Sequence, residues 1–449
     1  MEKKDMTKGS ILPQVLLFAL PLLGSSLVQQ LYNTADLLFV SNFAGKTAAA
    51  AVGSSGLIFT CLIGLFTGIS VGVGIVIAHA WGAGKYKDAE ETAHTALVIG
   101  VIGSILLTII GIAAARQILI WLNTPKEILS EAVRYVRIYF LSMISMVLYN
   151  MGASILRATG NSKIPFYILI GGGIANVIAD TLLVAVFRMG VVGAAAATSI
   201  SQTVSALCML TFLLSSRSTL RLTWGKMRIY RHWLKHILFY GLPAGVQAIV
   251  LTFSNVIVQY YINGYGENAV AAYAAYFKIE NIIYYPVMAC GQAIMTFAGQ
   301  NYGAGELKRI KKGTWQVMGC SVVLTMGIAV FMLCLSGFFM SLFLRDSTVV
   351  SYGISIMRIT FPFYGLYAVL EVAGGALRGM GYARMSMLVV LTNLCILRIF
   401  LLFIINKFVG SFSSVAVVYP ITWGVTAVCF LIAFSTVMKK KMTETSRLK

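Results

Sequence analysis

Twelve apolar runs, each of roughly 20–30 residues, follow one another along this 449-residue chain with only short polar breaks between them. By hydropathy they cover about 14–40, 53–80, 93–121, 133–156, 164–187, 191–215, 236–263, 269–299, 313–344, 353–377, 385–406 and 412–437. A run of about 20 apolar residues is long enough to cross the hydrocarbon core of a bilayer as a helix. Lipid offers no partner for an exposed peptide group, so the spans must satisfy their own backbone as helices. Composition agrees: 58% of residues are hydrophobic and only 11% charged, against about 25% charged in a soluble globular domain. The run that follows the charged Met1–Ser10 segment is too long for a signal peptide and has no clear small-residue cleavage site. It is therefore expected to stay as the first span, with no soluble domain at either end.

The net charge of +20 invites a nucleic-acid reading, but its distribution opposes one. With the N-terminus inside, alternate loops and tails hold 24 of the 35 Lys and Arg residues, including the six between Arg217 and Lys235. Basic residues retained on the cytoplasmic side orient membrane proteins. The charge thus implies a multi-pass protein of the cell membrane with both termini cytoplasmic, rather than a nucleic-acid partner; a monomer is expected.

The second half of the chain repeats the first. Trp81-Gly82-Ala83-Gly84 returns as Tyr302-Gly303-Ala304-Gly305, and Leu156-Arg157-Ala158-Thr159-Gly160 returns as Leu377-Arg378-Gly379-Met380-Gly381. Pro21 and Pro243 sit in matching places early in spans 1 and 7. An even number of spans per copy makes the repeat parallel, the arrangement of transporters built from two similar bundles. The fold class expected is therefore all-α integral membrane, twelve helices in two six-helix lobes. Residues 1–215 form the first lobe, 216–235 a cytoplasmic linker, and 236–449 the second lobe with a short basic tail.

Most acids lie in loops or tails. Asp36, Asp180, Glu280 and Glu371 fall deep inside spans, where an ionisable group costs about 2.5–3.5 kcal/mol on insertion scales and function is the default explanation. Asn33 and Asp36 in span 1, Asn176 and Asp180 in span 5, and Thr198 and Gln202 in span 6 are pairs spaced three or four apart, each on one helical face. Converging, they would offer hard oxygen ligands to a small cation such as Na+, or two carboxylates able to share a proton. Hydrogen bonding between helices is the structural alternative. The two copies differ here: Asp36 aligns with Val258, while Asp180 falls against Arg398. The second copy has its own polar set. Glu371, Lys278, Glu280, Arg398 and Tyr276 are its candidate substrate-cavity residues, with Glu371 paired to Lys278 or Arg398. Lys278 and Glu280, two apart, should not share a face. The tyrosines of spans 7 and 8 could line a cavity for flat organic cations or face lipid.

Enzyme signatures are missing. Seven scattered cysteines and four histidines, the latter expected to be solvated, form no metal-ligand spacing. Gly82-Ala83-Gly84-Lys85 lacks the spacing of a phosphate-binding loop, which leaves an ion gradient rather than ATP as the driving force. No cofactor is expected beyond a coupling ion, Na+ or H+.

These features in this order resemble the multidrug and toxic-compound extrusion (MATE) family from about residue 10 to 437. The carrying residues are Pro21 with Gln30-Leu-Tyr-Asn33-Thr-Ala-Asp36, the paired Gly-Ala-Gly loops, Leu156-Arg157 with its Leu377-Arg378 echo, Asn176 with Asp180, and Gly193-Ala194-Ala195 leading to Thr198. The resemblance implies a V-shaped pair of lobes exporting organic cations and drugs by antiport against Na+ or H+. It also implies a cation site in the first lobe at Asp36, Asn176, Asp180 and Thr198. The acid that some relatives carry in span 7 is absent between Ala244 and Ile262. Two other readings remain open at this point: a flippase for a lipid-linked sugar, and an intramembrane enzyme with Asp36 and Asp180 as a dyad.

Overall fold

The computed structural model describes residues 6–44, 46–121, 124–215 and 218–447, with backbone alone over 44–62. Among the described residues every regular element is helical, and twelve helices are long and apolar enough to span a bilayer. They are α1 (Ile11–Phe43), α2 (Lys46–Gly82), α3 (Tyr86–Trp121), α4 (Lys126–Ala158), α5 (Lys163–Val186) and α6 (Gly190–Leu214) in the first copy. The second copy supplies α7 (Arg231–Asn263), α8 (Glu267–Gly303), α9 (Leu307–Cys334), α10 (Ser347–Gly379), α11 (Ala383–Phe408) and α12 (Phe412–Arg447).

The repeated loop motifs are helix stops. Gly84, Gly160, Gly305 and Gly381 all have φ between 72° and 91°, a backbone region open to glycine and costly for other residues. After each, the next amide reaches back five residues: Lys85 N to Ala80 O, Asn161 N to Leu156 O, Glu306 N to Asn301 O, and Tyr382 N to Leu377 O, all at 2.8–2.9 Å. One capping geometry, satisfying carbonyls left over at a helix C-terminus, thus explains both sequence echoes.

Among the described residues the chain divides into two compact units, Gly24–Gly245, and Met6–Leu23 with residues 246–447. Along the chain they change over inside α1 and α7, just past Pro21 and Pro243, and not in the polar 216–235 segment. In the first unit α4 is the central helix, packed against α2, α3 and α6, with α5 on α6. Its α2 also meets the opening half of α7 through glycines. A Cβ on Gly68 would lie 2.0 Å from the Gly245 amide nitrogen, and one on Gly72 would lie 2.4 Å from the Ile237 carbonyl. Helices that lack a hydrophobic drive to associate in lipid approach closely where side chains are smallest.

The linker belongs to this unit as well. The buried His94 donates from Nδ1 to the Glu90 carbonyl (2.7 Å) and accepts at Nε2 from the Thr223 amide (3.1 Å). Tyr230 N donates to Thr95 Oγ1 (3.2 Å), Trp233 Nε1 to Glu91 Oε2 (3.0 Å), and Lys226 pairs with Glu90 (3.0 Å). The expectation of solvated histidines fails at His94 because the linker folds over it. Residues 216 and 217, at the start of the linker, and Cys61 lie outside what the structure describes at side-chain level.

In the second unit α10 takes the central place, against α8, α9 and α12, which reproduces the packing of α4. The opening segment of the chain is held here: Met6 N donates to Gln300 Oε1 (3.0 Å), and Arg309 donates to the carbonyls of Met6, Lys8 and Gly9. Met6, Ile11, Val15 and Phe18 are buried in this unit's core.

Candidate functional site

In the first unit, α1, α5 and α6 bring most of the expected cation ligands together. Asp180 is the last residue of the α-helical part of α5; a π-helical turn, Thr181–Val186, follows. Another, Val40–Ala44, follows Asp36 in α1. Such widened turns often accompany functional positions, since they re-aim side chains within a continuous helix. Asp36 and Asp180 are within direct electrostatic reach of one another. Thr198 donates to the Ala194 carbonyl (3.1 Å), and its Oγ1 lies 3.5 Å from Asp36 Oδ2. Asn176, Asp180 and Thr198 are 1%, 0% and 6% exposed.

These side chains leave an unusual surplus. Twelve buried side-chain polar atoms among the described residues have no hydrogen-bond partner, and five sit here: Asp36 Oδ1, both Asp180 oxygens, and both polar atoms of Asn176. Each buried orphan costs about 1–3 kcal/mol, more when charged. Four of the five are oxygens, and with the Thr198 hydroxyl they form a set suited to a hard cation. Among the described residues no group of three His, Cys, Asp or Glu side chains occurs. The donor set is thus two carboxylates, an amide oxygen and a hydroxyl.

Two expected members stand apart. Gln202 donates to the Tyr32 hydroxyl (3.3 Å), as Gln29 does (3.4 Å), so it supports a tyrosine one turn before Asp36. Asn33 is exposed and makes no hydrogen bond among the described residues. Tyr32 itself escaped sequence reasoning, although its spacing of four from Asp36 was the available signal.

The corresponding region of the second unit is built differently. Glu280 Oε1 accepts from the Tyr364 hydroxyl (3.0 Å) and lies 3.1 Å from that of Tyr276, which is also 3.1 Å from Thr360 Oγ1. The Thr360 proton goes to the Ile356 carbonyl (2.9 Å). Thr360 Oγ1 can then only accept, so the single Tyr276 proton has two acceptors, Thr360 Oγ1 and Glu280 Oε1, of which the carboxylate is the stronger. Arg398, 4% exposed, donates to Asn255 Oδ1 (3.4 Å), and its guanidinium stands 5.0 Å from the Tyr419 ring centre. Asn255 is the counterpart of Asn33, and Tyr419 aligns with Thr198 at the 221-residue offset of the loop motifs. Where the first copy presents acids, the second holds a cation that is part of the chain.

The remaining charges correct two expectations. Glu371 pairs with neither Lys278 nor Arg398 but with Arg378, at 2.6 Å; seven residues is two helical turns, which stacks the two on one face. Lys278 is exposed, 5.5 Å from the Phe343 ring centre, and takes no part in the Glu280 cluster. Of the candidate substrate-cavity residues, only Glu280, Arg398 and Tyr276 share a neighbourhood. Tyr260 is largely exposed, whereas Tyr273 and Tyr276 are buried.

A family model described as MatE matches residues 21–182 and again 243–404, once in each copy of the repeat. The chain belongs to the MATE family. It is 28% identical to "Probable multidrug resistance protein YoeA" of Bacillus subtilis, over 97% of this chain and 96% of that one. It is 23% identical to the multidrug export protein MepA of Staphylococcus aureus (strain bovine RF122 / ET3-1), over 90% and 89% respectively. Two solved structures, each 22% identical, share its fold with TM-scores of 0.93. One is a MOP superfamily transporter from Pyrococcus furiosus, covering 98% of this chain and 99% of that one; the other is a multidrug resistance MATE transporter in an outward-facing conformation, covering 99% of each. This MATE chain is a multi-pass membrane transporter of the multidrug efflux family, and the two family matches coincide with the two copies seen in its sequence.

Proposed function

We propose that this transporter exports small organic cations by antiport, coupling their exit to entry of Na+ or H+ at Asp36, Asn176, Asp180 and Thr198. The observation that carries this is the cluster of five unpartnered buried atoms in the first unit. A cation there would satisfy oxygens that the protein otherwise leaves costly, so its binding would favour the conformation that gathers them. Substrate would favour the other conformation, and exchange follows from that competition. The ion must bind one conformation more tightly by about 1–3 kcal/mol to give a useful coupling. The termini would face the cytoplasm, as the loop charges indicate. The lipid-linked-sugar reading is less favoured, since Arg398, one of the three cations that such a cavity would need, is buried on Asn255.

The test is efflux of a fluorescent organic cation from proteoliposomes under an imposed Na+ gradient or an imposed pH gradient. Parent protein should respond to at least one of them, and Asp36→Asn and Asp180→Asn should each lose at least tenfold of the gradient-driven rate. Undiminished coupling in both variants would overturn the assignment.

A further inference from the structure

We infer that the second unit carries a binding site for the headgroup of an anionic phospholipid, in a groove between the start of α9 and the end of α12. The groove encloses about 620 Å³. Phe434 and Met438, each almost fully buried, and Met442 form its floor; Trp315, Lys311 and Lys439 form its walls. Lys311 and Trp315 are one turn apart on α9, and Ser435, Lys439 and Thr443 lie along one stripe of α12. The site combines an apolar floor with two cationic walls, which is the chemistry of a lipid where its acyl chains meet its phosphate.

Three further observations point to a phospholipid rather than to another anion. First, depth: from Phe412 to Lys439 a helix rises roughly 40 Å, about the thickness of a bilayer including its headgroups, so Lys439 stands at headgroup level. Second, Trp315 is 48% exposed, and half-exposed tryptophans at a membrane boundary anchor in the headgroup layer. Third, charge: Lys311 and Lys439 have no carboxylate within ion-pair distance among the described residues, whereas the neighbouring Lys441 is paired with Glu444 at 2.9 Å. Both free ammonium groups line the groove. Basic pockets between helices at the cytoplasmic face of membrane proteins suit acidic lipid headgroups. The site is separate from the first-unit cation cluster, and its test does not use transport.

Native mass spectrometry of the full-length protein in detergent, titrated with phosphatidylglycerol or phosphatidylcholine, tests the assignment. Parent protein should retain phosphatidylglycerol selectively. The double variant Lys311→Gln/Lys439→Gln should bind it about 25-fold more weakly, about fivefold for each charge. Lys440→Gln, a neighbouring lysine outside the groove, should leave retention unchanged. Inorganic phosphate at millimolar excess should not displace the lipid, because it cannot use the apolar floor. Equal retention of phosphatidylcholine, full retention by the double variant, an equal loss with Lys440→Gln, or displacement by phosphate would each overturn the proposal. The substituted side chains are exposed, and an unchanged thermal midpoint would verify that the variants remain folded.

Discussion

Asp180→Asn is the substitution on which the coupling argument can be judged most sharply, because it should stabilise the protein and disable it together. The change keeps the shape of the side chain and removes one of two facing charges. At an effective dielectric of about 20, two unit charges at close range repel by about 3–4 kcal/mol. Asp180 is fully buried, and neither of its oxygens has a partner, so little offsets that repulsion. In sodium-free alkaline buffer, where proton sharing no longer relieves the pair, the variant should be about 1–3 kcal/mol more stable than the parent. Sodium should reverse the order. A ligand at a hundredfold excess over its dissociation constant stabilises its protein by about 2.7 kcal/mol, a gain that the parent would show and the variant largely lose. The assay is thermal unfolding in detergent, in sodium chloride against choline chloride at equal ionic strength. As the buffer is acidified the sodium effect in the parent should shrink, since a proton can occupy the same oxygens. A variant destabilised in both salts, or one that keeps the parent's sodium response, would refute the reasoning.

Three further outcomes follow from the packing. Gly68→Ala should cost about 1–3 kcal/mol or more, because its Cβ would meet the Gly245 backbone at 2.0 Å; Gly171→Ala, with nothing within 4 Å, should be neutral or gain up to about 1 kcal/mol. Thermal midpoints of the two variants compare them directly. Glu371→Ala strands Arg378 beside a nearly buried partner site and should destabilise by about 3–5 kcal/mol, while Glu371→Ala/Arg378→Met should recover part of the lost melting temperature. His94→Ala leaves the Thr223 amide without its acceptor, a loss of about 1–3 kcal/mol. It should speed proteolysis between Ser218 and Tyr230, without changing the sodium response.

The spans were legible because length and hydropathy speak together, and the loop echoes were legible because a positive-φ glycine admits little substitution. Asp36, Asn176, Asp180 and Thr198 stood out as polar residues in apolar surroundings, and their spacing named the faces they share. Tyr32 did not stand out, since a tyrosine is unremarked among aromatics near a membrane; only its contacts with Gln29 and Gln202 reveal it. Glu371 pairs with Arg378 rather than with Lys278 or Arg398, because two helical turns stack residues 371 and 378 on one face. Lys278 and Glu280 were rightly expected on different faces, because two residues advance a helix by about 200°. The point at which α1 and α7 change units was not legible. Pro21 and Pro243 mark the neighbourhood, but a proline within a helix says nothing about which core its two sides enter.

That changeover bears on what the two gene-length halves could do alone. Each copy lends the opening stretch of its first helix to the other's core, the pattern that two identical six-helix chains would make by trading that stretch. A fragment ending at residue 235 would carry Met6, Ile11, Val15 and Phe18 with their burial site missing. The complementary fragment would leave Arg309 without the carbonyls it now grips. Neither half expressed alone should fold stably, whereas the two expressed together as separate chains should find each other. The peptide link through 216–235 would then matter for the linker's own docking at His94, more than for keeping the halves in one molecule.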